Sequence, residues 1–172
     1  MKIILDKNDP ILRQIANPIP ESEFGSIWLK ELIQDMFIIM KEKCAVGVAA
    51  PQIGISKRVI VFGSAYTKRQ NLEYSIPNTA LINPSLNVLS DEIQIGYEGC
   101  LNFEEIMGKV PRAMEIEYSG YDVDGNFISK KTYGLEARIL QHEIDHLNGY
   151  LFLDHIQDKR TLTTKSELQN KV

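Results

Sequence analysis

Histidine and cysteine are scarce in this chain: its 172 residues include three of the first and two of the second. Two cysteines, Cys44 and Cys100, exclude a disulfide framework, so the fold must be held by its core. Basic excess is missing as well. Nineteen Lys and Arg against 23 Asp and Glu leave a net charge of −4, which gives nucleic acid no electrostatic footprint. No apolar run approaches the roughly 20 residues that a membrane span requires. The opening Met1-Lys2-Ile3-Ile4-Leu5-Asp6-Lys7 sets charges around three apolar residues and matches neither a secretory signal nor a transit peptide. Repeats and low-complexity tracts are absent. What remains is one cytoplasmic domain over residues 1–172, weakly structured from about 159, and large enough to bury roughly two thirds of its unfolded surface. In a reducing compartment its thiols are free for metal binding or catalysis.

The periodicities that are present divide the chain into three stretches. Asp9-Pro10 reads as an N-cap and first-turn proline of a short helix to about Ala16. A longer helix from about Ser26 to Lys43 repeats Trp28, Leu32, Ile33, Met36, Phe37 and Met40 at three- and four-residue steps, a stripe expected to face the core. Residues 58–62 and 80–84 read as strands, the second ended by Pro84, with a polar loop from Ser64 to Thr79 between them. Met114, Ile116 and Tyr118 alternate with polar residues, and Asp124-Gly125 turns that strand into a partner over 127–133. A helix follows from about Leu135 to Leu147, stopped at Asn148-Gly149. Helices at both ends of a strand-rich middle predict an α+β domain: antiparallel strands around a central helix, with helices near the N-terminus.

That central helix carries His142-Glu143-Ile144-Asp145-His146, and with it two of the three histidines. Residues four apart lie on one helical face, so both imidazoles can hold one ion with Glu143 near a water bound to it. A catalytic site of this kind needs a third ligand and an open position. The pattern HExxHxxGxxH runs as far as Gly149 but puts Phe152 where a third histidine belongs, and Glu167 stands in the polar tail. Cys100, in Glu98-Gly99-Cys100-Leu101-Asn102, is left as the third ligand, with Gly99 giving its backbone room to approach the metal. His155 reads as a loop or surface histidine and Cys44 as a buried apolar residue. Asp145 is expected to pair with Arg138. Asp122, Asp124 and Asn126 imitate the start of a calcium loop, but Phe127 replaces the glycine such loops require.

Three segments, Gly47-Val48-Ala49-Ala50-Pro51-Gln52, Glu98-Gly99-Cys100-Leu101 and Gln141-His142-Glu143-Ile144-Asp145-His146, resemble the signature motifs of the peptide deformylases, in order. The resemblance spans residues 45–149. It implies a hydrolase that removes the formyl group from the N-terminal formylmethionine of new proteins in a bacterial cytoplasm, with nascent N-formylmethionyl peptides as partners and the ribosome as a further candidate. It further implies a divalent metal ion, Fe²⁺ by expectation, with Zn²⁺, Ni²⁺ or Co²⁺ as alternatives, held by Cys100, His142 and His146. Glu143 would be the general acid and base, and Gln52 with the Leu101 amide would contact the formyl oxygen. Val46, Gly47 and Ile139 are the expected substrate-binding residues, Val46 and Ile139 lining the methionine pocket. The chain departs from the family pattern in having Ala45 for glycine, Asn102 for serine, and no proline near Glu104. A peptide-cleaving metallopeptidase or a closed structural zinc module are the competing readings. The first needs a His or Glu third ligand, and the second needs four protein ligands.

Overall fold

The computed structural model describes residues 3–67 and 74–169. The expected loop from Ser64 to Thr79 therefore lies partly outside the described residues, as do the first two and last three positions. The architecture is mixed α+β, the described strands pair antiparallel within two sheets, and these flank one buried helix.

Helix α1 (Ile27–Glu42) starts where Ser26 accepts a hydrogen bond from the Leu29 N–H at 3.2 Å, an N-cap satisfying an orphan donor. Strands β1 (Gly47–Ala49), β2 (Val59–Phe62), β3 (Thr79–Val88), β6 (Glu115–Tyr121) and β7 (Phe127–Tyr133) form the larger sheet, in the order β1-β2-β3-β6-β7. Side chains alternate across its two faces. Val48, Val59 and Val61 pack with α1, whereas Ala49, Ile60 and Phe62 pack with α2 (Gly134–Leu147). That is why β2 is apolar at every position. Strands β4 (Ile93–Gly99), β5 (Ile106–Ala113) and β8 (Thr163–Thr164) make the second sheet, and α3 (Lys165–Gln169) ends the described chain.

Several expectations need correcting. The first helix is a single 3₁₀ turn, Pro10–Arg13, capped by Asp9. Trp28 is not in the core stripe but 40% exposed, while Leu29 on the neighbouring face is fully buried. Pro84 does not end β3. The strand passes through it at a bulge, where Asn83 takes φ 50 and the register shifts between Ile82 and Ser85. Asn83 bonds both Ile19 N and Ile19 O at 2.8 Å, which holds that conformation. The hairpin of β4 and β5 was not anticipated. Its Ile93 and Ile95 point to solvent, and Pro111 interrupts β5 where β8, pairing only with Ile106 and Met107, gives it no second partner. From 159 the chain forms a 3₁₀ turn, the β8 pairing and α3, where weak structure was expected.

Candidate metal centre

Helix α2 is buried along most of its length, and its burial places the three histidine-motif side chains inside the protein: His146 is 1% exposed, Glu143 4% and His142 9%. Strand β4 ends directly before Cys100, whose residue opens a 3₁₀ turn over Leu101–Phe103. Closing the β4–β5 sheet over α2 brings Cys100 Sγ to 3.4 Å from His146 Nε2. One ligand atom each from Cys100, His142 and His146 lies within 4.8 Å of the others.

Glu98 organises this cluster. Its carboxylate accepts from both ends of the Arg112 guanidinium at 2.9 Å, from Arg138 Nη1 at 2.8 Å, and lies 3.0 Å from His142 Nδ1. Burial would raise the Glu98 pKa. Hydrogen bonds from His142 and Arg112, and their charges, outweigh it and hold the carboxyl far below the usual range. His142 Nδ1–H thus donates to a fixed carboxylate, which leaves Nε2 facing the thiol. Burial also disfavours the charged imidazole at His142, yet its bonds to Cys100 and Glu98 and the nearby Glu143 raise its pKa well above normal. At His146 burial dominates and lowers it. Glu98 was missed in the sequence except as part of a motif, and no local pattern marks Arg112. Arg138 pairs with Glu98, not with Asp145 as expected; Asp145 lies 2.6 Å from Arg112 and 2.9 Å from His155. Phe152, standing where a third histidine would be in the longer pattern, is buried and stacks on the His142 ring at 6.3 Å between centroids.

Three buried side-chain atoms among the described residues have no hydrogen-bond partner: His146 Nδ1, His155 Nε2 and Oε2 of Glu143. Burial raises the Glu143 pKa to about 7. Gly47, on the α2-facing side of β1, passes so close that a Cβ there would overlap the Glu143 carboxylate. Gly47 therefore makes room for that side chain. Gly99 makes room for β5, since a Cβ on it would overlap Met107 Sδ. Gln52 is 1% exposed, in a 3₁₀ turn over Ala50–Ile53. Its Oε1 accepts from the Ala49 N–H at 2.8 Å, which turns Nε2 toward Cys100 Sγ (3.3 Å) and Asn102 Oδ1 (3.0 Å).

A pocket of about 180 Å³ opens onto the cluster. Val46, Gly47, Gln52, Cys100, Leu101, Ile139, His142 and Glu143 all line it, and Tyr97, Met107 and Leu135 add apolar wall that the sequence reading had not named. A thiolate and two imidazoles form a soft-to-borderline donor set for a divalent transition ion. The surroundings favour positive charge at His142, and beside it stands a carboxylate with one oxygen that has no partner among the described residues. The residues present fit a catalytic metal, and their number, three, does not close a tetrahedral shell.

Comparison with known proteins agrees with this arrangement. A family model described as polypeptide deformylase matches residues 1–161. Peptide deformylase 2 of Pseudomonas putida is 42% identical over 155 residues, covering 90% of this chain and 87% of the relative. A class I type b peptide deformylase from Acinetobacter baumannii, solved with Met-Ala-Ser bound, superposes with a TM-score of 0.83 at 36% identity, over 90% of this chain and 98% of that one. A plant peptide deformylase gives 0.82 at 30% identity, over 99% and 86%. Fold, buried Cys-His-His cluster and sequence likeness along nearly the whole length converge on one conclusion: the chain belongs to the polypeptide deformylase family.

Proposed function

We propose that Cys100, His142 and His146 hold the catalytic metal of this enzyme, that Glu143 moves the protons, and that Gln52 and the Leu101 amide stabilise the charge that develops on the substrate. The reaction is the one that family membership assigns: removal of the N-formyl group from the N-terminal formylmethionine of newly made proteins, with release of formate. The chain is thus a metal-dependent amide hydrolase. The observation that carries the residue assignment is the gathering of three buried donor atoms within 4.8 Å beside a carboxylate oxygen that has no partner among the described residues.

When bound, a divalent ion supplies Lewis acidity, lowering the pKa of water toward neutrality and polarising a carbonyl. The protein groups do the rest. Glu143 accepts the proton of the attacking water; with burial holding its pKa at about 7, it can return that proton to the departing amine near neutral pH. As the formyl carbon becomes tetrahedral, its oxygen gains negative charge, and the Gln52 Nε2–H and the Leu101 N–H donate to it. Each such donor is worth about 10²–10³ in kcat. The C–N bond then breaks, leaving formate and a free N-terminus. Val46 and Ile139 form walls for the methionine side chain, and Gly47 leaves the backbone of β1 accessible beside it.

We assign Fe²⁺ as the resident ion, as the resemblance implies; Zn²⁺, Ni²⁺ and Co²⁺ suit the same donors, because availability and geometry decide among them. Elemental analysis after anaerobic purification identifies the ion. We place the reaction in the cytoplasm, on chains emerging from the ribosome. No described helix is long and apolar enough to cross a membrane. The test is formate release from a formyl-Met peptide, set against cleavage of the same peptide without its formyl group. Peptide-bond cleavage without formate would overturn the reading in favour of a metallopeptidase. Cys100→Ser is expected to lose metal on dialysis, and unchanged metal content would remove Cys100 from the ligand set.

A further inference from the structure

Asn102 lies one residue beyond Leu101, is 6% exposed, and has a carboxamide whose orientation is fixed from both ends. Its Nδ2 donates to the Leu5 carbonyl at 2.8 Å, and its Oδ1 accepts from Gln52 Nε2 at 3.0 Å. Flipping it would set two amide NH₂ groups against each other and two carbonyl oxygens together, so one orientation alone satisfies both neighbours. Cys100 Sγ lies 3.4 Å from the same Oδ1. Leu5 also donates its own N–H to the Gln52 carbonyl at 2.9 Å. Thus the backbone of a single N-terminal residue grips both Gln52 and Asn102, which stand 50 positions apart in the chain.

The consequence concerns the two N–H groups of Gln52. Oε1 is committed to the Ala49 N–H. One Nε2 proton is taken by Asn102, and the other is directed to the Cys100 side of the pocket. Without Asn102 the Nε2 group keeps only its longer contact with Cys100 Sγ at 3.3 Å, and the carboxamide is held less tightly about its last torsion, a soft one for glutamine. The same bracket steadies the 3₁₀ turn from which Leu101 presents its amide, since Asn102 is the middle residue of that turn. We propose that Asn102, tied to the N-terminal segment through Leu5, is a positioning residue that sets the direction of the oxyanion donors, Gln52 above all. It touches neither substrate nor metal in this role. The inference rests on the assignment of Gln52 made above and goes beyond it, because it gives a purpose to a residue at which the chain departs from its family's serine.

The experiment is a double-mutant cycle between Asn102→Ala and Gln52→Leu, read by steady-state kinetics on a formyl-Met peptide with metal content measured in parallel. Asn102→Ala alone is expected to lower kcat about tenfold, with KM within about twofold and a full complement of metal. In a protein already carrying Gln52→Leu the same substitution is expected to change kcat little, because a positioning residue has nothing left to position. Asn102→Ser, which keeps a hydroxyl acceptor but cannot also span to Leu5, should fall between wild type and Asn102→Ala, and it serves if the alanine variant does not fold. A kcat within twofold of wild type would overturn the proposal. So would a full additional loss in the Gln52→Leu background, or a fall in kcat that follows lost metal. Failure of the wild-type protein to release formate would instead overturn the functional reading, leaving the two outcomes distinct.

Discussion

Glu143 and Gly47 form one device at the residue scale: a carboxylate buried away from water, and a position without a side chain that lets it lie there. Glu143→Gln is expected to keep the metal and abolish formate release, and appreciable turnover in that variant would exclude Glu143 as the proton carrier. The same burial makes a prediction about stability. The folded-state pKa is raised from 4.5 to about 7, so between those values the folded protein keeps a proton that the unfolded chain has released. Stability of the chelator-treated protein should therefore fall as pH rises through that window, with Glu143 contributing about 3 kcal/mol of the change. Urea unfolding of wild type and Glu143→Gln across pH 4.5–7 checks this: the difference between them should grow with pH, and a constant difference would refute the assignment. Gly47→Ala should fold and bind metal yet lose about 100-fold in kcat, since a displacement of about 1 Å at a catalytic group has that effect. Wild-type kinetics in that variant would show that the carboxylate can move aside. The motif alone made Glu143 and the histidines legible; it gave Gly47 to substrate binding, because nothing in a one-dimensional pattern tells which side chain a glycine makes way for.

The decisive element is the β4–β5 hairpin, joined to α2 through Glu98, Arg112 and Arg138. All three charges are buried, so the pairing adds less to stability than its length of contact suggests, but removing one member leaves the others uncompensated. Glu98→Gln is expected to destabilise by about 3–5 kcal/mol and to weaken metal affinity by about 10–100-fold through the freed His142 ring. Denaturant titration and metal competition measure the two effects, and an unchanged metal affinity would deny Glu98 its orienting role. Both long helices were readable because a 3.6-residue period has one buried face to repeat. The hairpin was not, because its regular apolar positions, Ile93 and Ile95, face solvent, while its buried members mix the charged Glu98 and Arg112 with Val110 and Ala113. Pro84 misled for a related reason: the bulge that accommodates it depends on Asn83 reaching Ile19, 64 positions away.

Taken whole, the molecule is two sheets closed around α2, with the donor atoms at the seam. An ion bound there stabilises the folded state by mass action, about 4 kcal/mol when free ion is a thousandfold above its dissociation constant. For a chain of this size that raises the melting temperature by roughly 10 °C. Calorimetry with and without chelator should show the shift in wild type and none in His146→Ala; equal shifts in both would place the ion elsewhere. By itself the sequence determined whatever depends on neighbours along the chain: the amphipathic helices, the pairing of His142 with His146 one turn apart, the presence of Glu143 beside them, and the α+β class. Tertiary structure alone decided that Cys100, 46 positions from His146, comes within 3.4 Å of it, that Glu98 rather than Asp145 receives Arg138, and that Leu5 grips Gln52 and Asn102. Those contacts arise from strands closing over a helix. No period or spacing in the chain encodes them, because they depend on which buried faces meet once the apolar residues have left water.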